Sequence, residues 1–232
     1  MALNIADLLE HAVDAVPERT AVTCGAKQVT FAELDERANR LAHHLAAHGV
    51  GKGDHIGVYS RNSIETIETM FAAYKLRAIA INVNFRYVAD ELRYLFDNAD
   101  LTALVHEQAF GELVAEVLPD IPKLKHVVAV QDGSGVAFGG VPYEQALAAA
   151  SPERDFPARS ADDIYILYTG GTTGYPKGVM WRHEDIWRTL GGGINFLTGE
   201  YVPDEHSMAE QAKSSPGLVR LPVSPLIHGA AQ

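Results

Sequence analysis

The sequence predicts an α/β fold, with mixed or parallel sheets flanked by helices. Three observations carry that expectation. Short apolar runs bounded by turn residues recur along the chain. Segments whose apolar residues repeat at helical spacing lie between them. The two kinds of segment alternate instead of clustering by type, which is the order that crossover connections of a parallel sheet produce.

The elements follow in order. Residues 5–16 are amphipathic and stop at Pro17, which cannot continue a helix. Residues 21–23 and 28–30 are short β-prone pieces around CGAK, a hairpin signal. Thr30 with Glu33 three positions on reads as a capping box. Phe31, Leu34, Ala38, Leu41 and Leu45 then form one apolar stripe, and Gly49 suits the position just past a helix end. Residues 56–59 predict a strand and 63–76 a helix that Asn62 or Ser63 can cap. The pattern repeats with strands at 78–83, 101–106 and 127–130. Helices are expected at 90–98 and at 108–118, the latter ended by Pro119, and at 143–150 after a turn-rich stretch. Residues 151–163 read as a polar connection. Two further strands, 164–168 and 178–181, flank a glycine-rich loop. A helix runs through 186–190, and the charged stretch 204–211 reads as an exposed loop or helix.

Bulk properties narrow the function classes. The chain has 232 residues, 47% of them hydrophobic and 21% charged, the profile of an ordinary globular protein. A net charge of −11 and the lack of any lysine or arginine cluster argue against a nucleic-acid partner. The one cysteine, Cys24, excludes an intrachain disulfide and suits a reducing, cytoplasmic location. The first residues lack the basic start and long apolar core of a signal peptide. No apolar run approaches the ~20 residues of a membrane span.

The chemistry concentrates in residues 168–179, YTGGTTGYPKGV. Four glycines, three threonines and a lysine lie here between two apolar runs. Glycines let the backbone approach a ligand closely, and successive exposed N–H groups make an anion-binding concavity. Thr169, Thr172 and Thr173 add hydroxyl donors, and Lys177 adds a point charge suited to phosphate. A plain turn explains the glycines but not the threonines and lysine together. The Walker loop is excluded, because Lys177 follows Pro176 and precedes Gly178. No G-x-G-x-x-G is present in the loop either, which excludes the dinucleotide fingerprint.

These residues resemble the phosphate-loop signature of the adenylate-forming superfamily, a Ser/Thr/Gly-rich run followed by Gly-x-Pro-Lys-Gly. The superfamily includes acyl-CoA synthetases, firefly luciferase and nonribosomal-peptide adenylation domains. The segment from FAELDERANRL to INVNFR is similar to the early part of acyl-CoA synthetases. PLIHGAA, at 225–231, is similar to their histidine motif. INVNFRYVADELRYLFDNAD and GGTTGYPKGVMWRHED more narrowly resemble actinobacterial enzymes of fatty-acid and steroid side-chain breakdown.

The resemblance implies the N-terminal part of the large domain of an acyl-CoA synthetase. Residues 1–150 are then a first α/β subdomain, 151–163 a connection, and 164–232 the start of the nucleotide-binding subdomain. It implies ATP and Mg2+, with coenzyme A as co-substrate and a small-molecule carboxylic acid, fatty or steroid-derived, as substrate. Thr169, Gly170, Gly171, Thr172, Thr173 and Gly174 are expected to wrap the β- and γ-phosphates. Lys177 is expected to offset their charge, and Thr169 to help hold Mg2+. His228 is expected to shape the acyl pocket and orient the carboxylate. A homodimer is compatible with the resemblance. An acyl-AMP ligase that loads a carrier protein, and a non-catalytic nucleotide-binding module, are the alternatives.

The family's later motifs for adenine, ribose and the adenylation lysine do not occur. The chain is therefore expected to be an N-terminal fragment that does not form acyl-CoA alone. Other candidates read as structural. His43, His44 and His48 share one helix and are expected at the surface, without a third ligand for zinc. His183, Trp187 and Phe196 are expected to pack, and glycines 191–193 allow a close approach.

Overall fold

The computed structural model describes residues 3–137, 139–170, 174–190, 193, 198–214, 217, 219, 221, 222 and 224–229. Local signals set most element ends. The Asn4 side chain accepts from the Ala6 amide and caps α1 (Ile5–Ala15). β1 (Thr20–Cys24) and β2 (Lys27–Thr30) form an antiparallel hairpin. Thr30 and Glu33 close a capping box at the start of α2 (Phe31–Ala47). Beyond its end, Gly49 takes a φ of 87°, a conformation that glycine reaches without a Cβ clash.

Strand and helix then alternate: β3 (His55–Tyr59), α3 (Ile64–Lys75), β4 (Ile79–Asn82), α4 (Ala89–Asn98), β5 (Leu101–Glu107), α5 (Gly111–Val117) and β6 (His126–Val130). The helix expected over 108–118 is shorter. Single 3-10 turns flank α5, the second built around Pro119, which supplies no backbone donor. β7 (Val141–Pro142), α6 (Tyr143–Ala148), β8 (Ile164–Thr169), β9 (Lys177–Arg182), α7 (His183–Thr189) and α8 (Ser207–Ser214) complete the described elements.

One sheet organises the molecule, with strand order β7-β6-β5-β3-β4-β8-β9. Every neighbouring pair is parallel except β8 and β9, which are antiparallel from Ile164↔Arg182 to Thr169↔Lys177. The sheet is therefore mixed. Side chains alternate across it. Ile56, Val58, Ala103, Val105, Val128 and Val130 face the helices α1, α2, α3 and α6. Ile79, Ile81, Leu101, Leu104 and Val127 face α4 and α5. Gly57 lies between the Leu101 and Leu104 side chains, each of which would be 2.8 Å from an added Cβ.

The polar connection 151–163 has no regular structure but is pinned by charge. Arg154 Nε donates to Asp35 at 2.6 Å, and Arg159 pairs with Asp7 and Glu10. Lys75, wholly buried, donates to Asp35 at 2.8 Å and also to Glu10. Burial alone would push the Glu10 carboxyl up, but Arg159 and Lys75 outweigh it and hold the group below the usual range. The connection ends at Asp163, which takes a forked pair from Arg77 and a 3.0 Å bond from Asn4. β8 thus starts from a fixed point beside α1.

One expectation is corrected. His44 is not at the surface: it is 8% exposed, and its Nε2 lies 2.9 Å from Nε2 of His126. The face of α2 that carries Leu41 and Leu45 packs on the sheet, and His44 turns with it toward the start of β6. Burial, then the neighbouring His48 and His44, push His126 down to about 4.

Candidate active site

The glycine–threonine loop springs from the C-terminal end of β8 and returns as β9. Thr169 and Lys177 are Cα partners at its root, so the register of the β8–β9 pair sets them opposite each other. Both are exposed, as are Gly170 and Gly174. Gly171, Thr172 and Thr173 lie outside the described residues.

The glycines of the site divide into two kinds. Among the described residues, an added Cβ at Gly170 or Gly174 would meet nothing within 4 Å. The packing of the described residues does not require glycine at either place. Gly178 and Gly229 are crowded: a Cβ would come 2.9 Å from Ile166 Cγ2 in the first case and 2.4 Å from Leu167 Cδ2 in the second, so these side chains would have to shift. Gly229 lets the histidine segment lie directly on β8.

A second contact ties the same segment down. Asn82, the last residue of β4, donates from Nδ2 to the Ile227 carbonyl at 2.7 Å and to the Tyr168 carbonyl at 3.0 Å. Its Oδ1 accepts from the Tyr168 amide at 2.8 Å. The Leu226 amide donates to Asn62 Oδ1 at 2.7 Å. One side chain therefore joins the root of the loop to the residue before His228. The His228 amide donates to Pro225 O at 2.9 Å, and the residue is exposed.

The far side of the loop is braced from α4. Tyr94 donates its hydroxyl to Pro176 O at 3.1 Å and stacks on Tyr175 with centroids 4.4 Å apart. Tyr168 donates to Asn98 Oδ1 at 2.9 Å. Asn82 and Tyr94 were not singled out from sequence, and Asn62 was named there only as a candidate helix cap. A signal existed for Asn82, since an asparagine ends the apolar run AIAIN where an apolar residue would continue the strand.

A small cavity lies between Val58, Ser60, Met70, Asn82 and Ile227. At about 10 Å³ it has room for roughly one water, far short of an acyl group. His183 takes no part in the site. It is 1% exposed, its Nδ1 accepts from the Ile5 amide at 3.3 Å, and burial, only partly offset by Asp163 and the Ile164 backbone, pushes it down to about 4. Trp187 is buried, and Gly193 approaches its ring so closely that a Cβ would sit 2.6 Å from it. Phe196, Gly191 and Gly192 lie outside the described residues.

A mixed, mainly parallel sheet flanked by helices, with a glycine–threonine loop at one strand end joined to a histidine segment, defines an α/β class of protein. Residues 9–231 match the AMP-binding enzyme family, and the chain belongs to that family. It is 63% identical over 235 residues to a 3-oxocholest-4-en-26-oate–CoA ligase of Rhodococcus rhodochrous, covering 100% of this chain and 42% of that one. It is 59% identical over 239 residues to a medium/long-chain-fatty-acid–CoA/3-oxocholest-4-en-26-oate–CoA ligase of Mycobacterium marinum, covering 100% of this chain and 44% of that one. The chain thus spans less than half the length of the curated relatives it matches. Among solved structures it is similar to an anthranilate CoA ligase in complex with anthranoyl-AMP. That likeness has a TM-score of 0.76 and 26% identity over 84% of this chain and 38% of the other. Among the described residues no helix is long and apolar enough to cross a membrane.

Proposed function

We propose that the gene product carrying these residues is an ATP-dependent acid–CoA ligase that activates a steroid side-chain acid or a medium- to long-chain fatty acid. The observation that carries this reading is the Asn82 clip, which holds the phosphate-type loop and the His228 segment as one unit. The names of the relatives supply the acid classes.

In the first half-reaction a carboxylate oxygen attacks the α-phosphorus of ATP. The bond to the bridging oxygen breaks and pyrophosphate leaves. In the second, the sulfur of coenzyme A attacks the acyl carbonyl, and the carbon–oxygen bond to AMP breaks. Catalysis of the first step is mainly positioning and charge stabilisation. Thr169, Gly170, Gly171, Thr172, Thr173 and Gly174 wrap the β- and γ-phosphates, and Lys177 offsets their charge. The openness around Gly170 and Gly174 supports this, because their small size serves no packing need among the described residues. Exposed Thr169 offers one hydroxyl oxygen. That fits Mg2+, an ion that takes most of its oxygens from phosphate and water, and the ion would neutralise phosphate charge. His228 orients the carboxylate beside the loop. On this reading residues 1–150 support the site, 151–163 connect, and 164–232 begin the nucleotide-binding subdomain, although β8 joins the same sheet as β3–β7. The enzyme works in the cytoplasm, where unpaired Cys24 stays reduced.

The test is thioester formation by the gene product with ATP, Mg2+, coenzyme A and a panel of steroid and fatty acids, read by mass spectrometry. Acyl-CoA formation from members of those classes is expected. Acyl-adenylate without any thioester favours transfer to a carrier protein instead. Neither product with any acid would leave a binding module.

A further inference from the structure

Three imidazoles meet at the end of the sheet opposite the phosphate-type loop. The strands from β6 to β8 are all parallel, so His126 at the start of β6 and Thr169 at the end of β8 lie at opposite sheet ends. His44 and His48 are one turn apart at the C-terminal end of α2. His44 Nε2 and His126 Nε2 are 2.9 Å apart, and the His48 ring stacks on that of His126 at 3.9 Å. One nitrogen from each ring lies within 4.8 Å of the others.

We propose that His44, His48 and His126 form a zinc-binding site, with the fourth position open to water on the side of exposed His48. His48 Nδ1 sits 2.7 Å from the His44 carbonyl and donates to it, which leaves its Nε2 free as a ligand. The donor set is all imidazole, which suits zinc and its neighbours and not Mg2+ or Ca2+, ions that demand oxygen. Zinc–nitrogen bonds of about 2.0–2.1 Å in a tetrahedron put ligands roughly 3.3 Å apart. Seating the ion therefore opens the His44–His126 pair by a few tenths of an ångström. It also swings the exposed His48 ring out of its stack. Two of the ligands, His44 and His126, are each 8% exposed, so packing already fixes their positions. The site joins the end of α2 to the first residue of β6, elements 82 positions apart at His44 and His126. A bound ion would staple them together, far from the Mg2+ that accompanies ATP.

His11, Glu205 and His206 form a second trio within the same mutual distance, so variants decide the test and not stoichiometry alone. The tag-free, chelator-stripped chain is titrated with Zn2+ against a chromophoric chelator, and its Tm is measured with and without the ion. Zn2+ is expected to bind and raise the Tm. The affinity should fall at least tenfold in His48→Ala, a change at an exposed side chain, and in His126→Asn, but not in His206→Ala. Co2+ in place of zinc should give the visible bands of a four-coordinate site, lost in His48→Ala. Zinc binding of unchanged strength in His48→Ala, or no binding at micromolar Zn2+, would overturn the proposal.

Discussion

Replacing Asn82 by alanine removes three hydrogen bonds at once, two to Tyr168 and one to Ile227. Partly buried backbone groups are left unpaired, at about 1–3 kcal/mol each where water cannot reach them. Asn82→Ala is therefore expected to lower the Tm by several degrees and to speed amide exchange at Tyr168. Asn82→Asp, which keeps the acceptor but loses both donor bonds, should fall between. Lys177→Ala has the opposite profile. The residue is exposed, so thermal stability should not change. Binding of ATP·Mg2+ by the gene product should weaken roughly 10–100-fold, the worth of one charge-assisted bond. An isothermal titration beside a melting curve separates the two effects. At this scale sequence and structure carry different parts of the site. The loop's glycines, threonines and lysine stand together in the chain and are legible there. Asn82 meets partners 86 and 145 positions away, and no local spacing encodes that.

At the scale of elements, buried ionic clusters fix how the helices of one face meet. Glu68 is fully buried on α3 and accepts from Arg37 on α2 at 2.6 Å and from Tyr143 on α6 at 2.7 Å. Burial pushes its carboxyl up in spite of both partners. Glu68→Ala breaks a buried pair, a change that costs about 3–5 kcal/mol in general. Arg37 keeps Glu144 as a second, bidentate partner, so the loss should sit at the lower end. Tyr143→Phe should cost about 1 kcal/mol; urea unfolding measures both. Acidification probes the same level. His183 ordinarily titrates near 6.5 but is pushed down to about 4 by burial in the fold. Between these values the unfolded chain binds a proton that the folded chain refuses, so stability rises with pH there. It is lost as pH falls from about 6.5 to 4 and is unaffected by this group below 4. His126 acts in the same sense. A Tm–pH profile should fall over that window and be flatter in His183→Gln. Helix ends were legible because caps are local: Thr30, Glu33 and Gly49 do what their positions imply. The neighbour of His44 was not, because helix periodicity shows which residues share a face but not which strand that face meets.

For the whole molecule, the mixed sheet separates two ends with different chemistry. The ends of β4 and β8 carry the phosphate-type loop and the clip to the histidine segment. The opposite end carries the imidazole trio at the start of β6. The alternation of strand and helix signals forecast a mixed or parallel sheet flanked by helices; the structure has one mixed sheet with helices on both faces. The strand order was not readable, because β8 enters beside β4 after four intervening elements beyond β5 have been laid down elsewhere. On the proposed function, the loop grips a polyphosphate while an acid is adenylated beside it. The decisive measurement is acid-dependent exchange of labelled pyrophosphate into ATP by the gene product and by its Lys177→Ala variant. Exchange is expected to require a steroid side-chain or fatty acid and to fall at least tenfold in the variant. Absence of exchange with every such acid, or an equal rate without Lys177, would contradict that function.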